Sequence, residues 1–148
     1  MAAMSDFLEN KLVDHIFRGV TYTVPTTLYV ALYTAAPSDS GGGTEITIGT
    51  NAYARRDVVS TAGSPVWANT QGVAGTAVSS GTGGVTSNTS AITFVTPTGS
   101  WGTVTHFGIL TAATGGDLLF HGALTVSQTV NNGNTVSFAP GALQITFA

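Results

Sequence analysis

Cysteine is absent from the 148 residues, which removes disulfide staples and thiolate metal sites and leaves the redox compartment open. Charge is almost as scarce. Only 7% of the residues are Asp, Glu, Lys or Arg, against about a quarter in an ordinary soluble domain. All four basic residues, Lys11, Arg18, Arg55 and Arg56, precede Asp57, and beyond Asp57 the only charged side chain is Asp117. With a net charge of −3 and no basic stripe, nucleic acid is not expected as a partner, because displacing phosphate counterions takes clustered Lys and Arg. No window approaches the roughly 18 uninterrupted apolar residues of a membrane span. The first residues, MAAMSDFLENKLVDHIF, carry no basic segment followed by an apolar run. The expectation is a soluble chain made in a cytoplasm.

Apolar residues nonetheless make up 43% of the chain and fall in strand-like alternation, so Thr, Ser, Asn and Gly must wet the surface. Such neutral surfaces are weakly protected against association, which favours a permanent oligomer over a free monomer. The length suits one domain, residues 1–148, which hides about 68–70% of the surface its unfolded chain exposes.

The clearest local pattern is WGTVTHFGILTAATGGDLLFHGAL, Trp101 to Leu124. Thr103, Thr105, Phe107 and Ile109 alternate with Val104, His106, Gly108 and Leu110 on one arm, and Leu118, Phe120 and Leu124 with Leu119, His121 and Ala123 on the other. Gly115 and Gly116 supply positive φ for a tight turn, and Asp117 can bond locally to its backbone.

Upstream, Ser5 to Arg18 predicts the one helix. Ser5 is the N-cap, Asp6 and Glu9 lie in the first turn, and Arg18 and Gly19 close the end. Leu8, Leu12 and Ile16, widened by Phe7, Val13 and Phe17, form an apolar stripe for the domain's own sheet or a neighbouring subunit. Thr26 to Thr34 alternates Leu28, Val30 and Leu32 against Tyr29, Ala31 and Tyr33, a strand whose second face is also a candidate for burial. AAPSDSGGGTE predicts a mobile loop. Tyr53 to Val59 returns to strand character; one of Arg55 and Arg56 is expected to pair with Glu45 or Asp57, leaving the other for an interface.

From Ser60 to Thr89 the chain is loop-dominated, with one or two short strands and Val66, Trp67, Val73, Val78 and Val85 as its apolar anchors. Ala91 to Val95 is a strand that Pro97 ends. VSQTVNNGNTVSF predicts a second hairpin turning at Asn131 to Asn134, and Leu143 to Ala148 a last strand. About eight strands and one N-terminal helix make an all-β antiparallel sandwich or jelly roll.

Little chemistry is on offer. If the hairpin arms pair, His106 and His121 become neighbours, and two imidazoles on one face can hold a metal. A third ligand would be needed, Asp117 is the only carboxylate on the hairpin, and structural roles for both histidines are favoured. No metal or cofactor is expected. Asp39, Glu45, Asp57 and Asp117 include no evident carboxylate pair for glycoside hydrolysis. There is no G-x-S-x-G elbow, and GGG at 41–43 lacks the GK[ST] of a phosphate loop. Asn88-Thr89-Ser90 fits the glycosylation sequon but has no signal peptide to give it meaning. An enzyme is not expected. Trp67 and Trp101 are the aromatic candidates if the sandwich binds sugar.

SDFLENKLVDHIFR, then TTLYVALYTAAP, YARR, SNTSAITF, TGSWGTVTHFGIL, GGDLLFHGAL and NGNTVSFAPGAL together resemble a family of small virion proteins of tailed bacteriophages. Its members include jelly-roll capsid cement (decoration) proteins and proteins labelled tail fibre. The resemblance covers nearly the whole chain, with WGTVTHFGI and LLFHGAL its strongest motifs; the stretch from about Gly63 to Gly84 is longer than the family pattern. It implies a cement protein on the capsid exterior, bridging major capsid protein subunits, with a tail fibre or tail-tip component or a carbohydrate-binding module as alternatives. A homotrimer suits a body that clamps three neighbours. Contacts are then expected from Leu8, Leu12 and Ile16 on the helix, from Arg55 and Arg56, and from Trp67.

Overall fold

A computed structural model describes residues 2–59 and 67–147. The chain runs β1 (Ala3–Met4), α1 (Asp6–Phe17), β2 (Thr27–Ala35), β3 (Thr44–Glu45), β4 (Arg56–Val59), β5 (Val85–Ser87), β6 (Ile92–Thr93), β7 (Gly102–Leu110), β8 (Leu118–Val130), β9 (Ser137–Phe138) and β10 (Gln144–Thr146), with a single 3-10 turn at Thr50–Ala52. This is an all-β antiparallel sandwich with one N-terminal helix. Among the described residues it has ten strands where about eight were expected, because several are two or three residues long.

The main sheet runs β1-β8-β7-β2-β3, and β4 also pairs with β2. The hairpin forms as its alternation predicts. Phe107 faces Gly122 and Ile109 faces Phe120 across β7 and β8, while Leu32 and Val30 of β2 face Phe107 and Ile109 from the other side. Those residues give one sheet face to the core. Two short ladders, β5 with β10 and β6 with β9, bring Ile92, Leu143 and Ile145 onto the same core. Tyr53, Phe94 and Trp101 interlock inside it, the Tyr53 and Trp101 rings edge to face at 5.2 Å, a favoured aromatic geometry. The opposite face of the sheet is covered too: Ala31, Tyr33 and Leu110 are buried with Leu118 packed on them, which is why β2 reads as apolar on both sides.

The helix forms where its caps predict. Leu8 donates its N–H to the Ser5 hydroxyl at 3.3 Å, and Gly19 takes φ +70° just past the end. Ser5 also ties the helix to β8, donating its hydroxyl to the Leu118 carbonyl and its N–H to that of Leu119 at 2.9 Å. The apolar stripe divides. Leu8 is buried, Phe7 and Leu12 pack on the core, and Ile16 and Phe17 stand 64% and 79% exposed. Only the N-terminal half of the helix lies over the sheet.

Two expectations need correcting. The Asn131–Asn134 turn is present, with Gly133 at φ +77° and the Asn134 N–H on the Asn131 carbonyl, but the returning strand does not pair with β8. Ser137 and Phe138 pair instead with Thr93 and Ile92, where Phe138 packs against Phe94 and Phe107. Val73 and Val78 stand 53% and 85% exposed and do not reach the core that Trp67 packs against. Val66 lies outside the described residues. In the 35–45 loop Ser38 and Gly41 exchange backbone bonds of 3.0 and 2.9 Å, and the Asp39 carbonyl accepts the Asp6 N–H at 2.9 Å.

Candidate functional site

Adjacent strand residues point to opposite faces, and Arg55 and Arg56 separate accordingly. Arg55 turns inward, its side chain 5% exposed. Its Nε donates to Glu45 Oε1 at 2.8 Å and its Nη2 to Glu45 Oε2 at 2.7 Å, a two-pronged ion pair. Its Nη1 donates to the carbonyls of Ala112 and Gly115, each at 2.7 Å. One guanidinium thereby clamps β3 to the β7–β8 turn, and the Glu45 bond holds it above the ordinary arginine value. Tyr53 joins the clamp, accepting the Leu32 N–H at 2.8 Å and donating to Glu45 Oε1 at 3.2 Å. Burial pushes its phenol well above the ordinary value, and the Glu45 charge adds to the push while the Leu32 bond opposes it.

Arg56 points outward. It meets Asp57 at 3.3 Å with both side chains half exposed, so it stays within reach of a partner. Leu8 and Arg55, by contrast, already have their surfaces covered by the chain's own atoms. Trp67 bridges to Asn88 and is half-buried against the core edge. Trp101 is buried, donating its indole N–H to the Asn51 carbonyl at 3.0 Å, and presents no face to a sugar.

The histidines share one sheet face as diagonal neighbours, since His106 lies opposite Ala123 and His121 opposite Gly108. They do not converge on a common point. His106 Nδ1 pairs with the Thr105 hydroxyl at 2.8 Å and His121 Nε2 with Asp39 at 3.0 Å. Asp117 contributes its backbone to the turn, bonding Thr111 through both N–H and carbonyl. Among the described residues no three His, Asp or Glu side chains gather as metal ligands.

Asn88, met in sequence as part of a sequon, is buried. It donates to the carbonyls of Ser90 and Ala139 at 2.8 Å each and accepts the Leu143 N–H at 2.9 Å. An amide so engaged is a node that fixes the last strand. Nothing in the local sequence marks that role, because all but one of its partners lie about fifty residues away.

Two exposed surfaces lie beside these groups. Val13, Ile16, Phe17 and Val20 form an exposed apolar strip at the end of α1, flanked by the Arg18–Asp14 pair. The outer half of β8 is the second: residues 125–129 are exposed. Among the described residues no helix is long and apolar enough to cross a membrane.

What the fold and its side chains define is an antiparallel sandwich in which Arg55 and Asn88 hold loops and strand ends together, with an apolar strip on α1 and an uncharged half of β8 left exposed. A family model described as podophage GP4 fiber I protein gp80 matches residues 3–146, and the chain belongs to that family, as a structural protein of the tailed-phage virion. Comparison with curated proteins gave no match.

Proposed function

We propose that the chain is a fibre component of the phage tail. The observation that carries this reading is the fibre family's model matching residues 3–146, which favours the tail alternative over the capsid cement expectation. A fibre component must bury surface against its neighbours. The strip Val13, Ile16, Phe17 and Val20 and the outward Arg56 supply apolar and charged contacts for that purpose. The neutral surface supports the accompanying proposal of a homotrimer.

Antibody-gold labelling of purified virions, with quantitative densitometry of this band against the major capsid protein, tests the reading. Label at the tail with tens of copies or fewer is the expected result. Hundreds of copies spread over the head would overturn it in favour of a cement protein whose partner is the major capsid protein.

A further inference from the structure

Asn132 and Gly133 are the one Asn-Gly pair in the sequence. Such a pair carries a reaction of its own. The backbone nitrogen of the residue that follows an asparagine can close on the side-chain amide, and glycine, with no Cβ to crowd the approach, hinders that closure least. Each of the other six asparagines is followed by a residue with a side chain. Several are also held. Asn51 donates to the Ser100 carbonyl, Asn69 accepts the N–H groups of Gln71 and Val73, and Asn134 accepts that of Asn131, while Asn88 is buried.

The turn presents this pair openly but holds the attacking atom. Residues 131–135 are exposed, and the Asn132 carboxamide makes no hydrogen bond among the described residues. Gly133 stands at φ +77° with nothing within 4 Å of where a Cβ would lie. Its N–H, however, donates to the Pro97 carbonyl at 2.9 Å. The nitrogen that must lose its proton before it can react is thus the one that ties the turn after β8 to the segment after β6. A bonded amide gives up its proton to solvent when the bond opens.

We propose that Asn132 is a site of spontaneous deamidation and that the bond from Gly133 to Pro97 gates it. When the bond opens, the Gly133 nitrogen gives its proton to hydroxide and attacks Asn132 Cγ. The new bond closes a five-membered succinimide; the bond from Cγ to the side-chain nitrogen breaks, and ammonia leaves with a proton taken from water, which restores the hydroxide. Water then adds to one of the two ring carbonyls. Opening on one side gives aspartate, and on the other isoaspartate, with the main chain routed through the side chain. Either product adds a negative charge to a chain of net charge −3, in a stretch with no acid beyond Asp117. Isoaspartate also lengthens the main chain by a methylene, which displaces the Gly133 N–H from Pro97. The reaction is the chain's own covalent ageing, and its failure would leave the fibre reading untouched.

The test incubates the full chain in mildly alkaline buffer, once folded and once unfolded in guanidinium chloride, and follows each asparagine by peptide mapping with mass spectrometry. Exchange of the Gly133 amide is measured alongside by NMR, because exchange and ring closure both begin with loss of the same proton. Asn132 should react first in both states, and folding should slow its reaction by the same factor, within a few fold, as it slows Gly133 exchange. A different asparagine reacting first, no slowing on folding, or a slowing far beyond that of exchange would each overturn the proposal. In parallel, Asn132→Gln, whose closure needs a six-membered ring, should keep the native circular dichroism and lose the mass gain at the turn. A gain as fast as that of the unaltered chain would also overturn it.

Discussion

Leu118–Gly122 and Leu124–Thr129 are consecutive stretches of one strand in opposite surroundings. The first is paired on both edges, by β7 and by β1, covered by the helix through Ser5, and preceded by a turn that Arg55 holds. The second pairs with β7 only at Gln128 and Thr129 and faces an open groove. Glu45 and Arg55 hold the turn before the first half and Asp39 bonds His121 within it, whereas no Asp, Glu, Lys or Arg lies in the second half. Along β8, polar side-chain bonds from elsewhere in the chain thus mark the closed half.

The largest effect should come from removing the clamp at the closed end. Arg55→Ala leaves Glu45 and two turn carbonyls without their donor. Breaking a buried ion pair from one side costs about 3–5 kcal/mol, read as a shift of the urea midpoint. Arg56→Ala, one residue away and exposed, should change stability by no more than about 0.5 kcal/mol. Equal losses from the two would erase the distinction between them.

The turns at the two ends of β8 sharpen the comparison next. Gly116 has φ +73°, and an added Cβ would meet the Ala112 Cβ at 2.8 Å; Gly133 has φ +77° with open space around it. Gly133→Ala carries only the backbone penalty, about 1–2 kcal/mol. Gly116→Ala carries that and the clash, so thermal melts should show it the more damaged.

Alkali should act on the closed end through Tyr53. Its folded-state proton is held well above the ordinary phenol value by burial, whereas the unfolded chain releases it near pH 10. The folded state therefore binds more protons above about pH 10, and stability is full below that point and falls as pH rises beyond it. Melting temperature followed from about pH 8 to 11 should bend downward near the top of that range. Tyr53→Phe should flatten the bend while losing about 1–3 kcal/mol at neutral pH, because the Leu32 N–H and Glu45 lose a partner. The smallest effect belongs to the open end: Val126→Thr, at 65% exposure, should stay within about 0.5 kcal/mol of the parent.

The closed end was also the more legible in sequence. The hairpin, β2 and α1 are local patterns, set by period-2 alternation, a Gly-Gly turn and a capping serine, and each appears where its residues place it. The pairing of Arg55 with Glu45 was within reach too, since only two acidic partners stood nearby. Its bonds to Ala112 and Gly115 were not, because backbone carbonyls leave no mark in a sequence. The same holds for Asn88, and for Ser137 and Phe138, whose turn is local but whose partner strand begins 45 residues earlier. Val73 and Val78 misled for the opposite reason: an apolar side chain predicts burial only when others are present to bury it.

Hydrogen exchange along β8 tests the central contrast most directly, because amide protection reports local opening residue by residue. In dilute solution the account predicts slow exchange at Leu119–Gly122, which is paired on both edges, and fast exchange at Leu124–Ser127, which lies outside either ladder. Uniform protection of both halves in the dilute chain would contradict it.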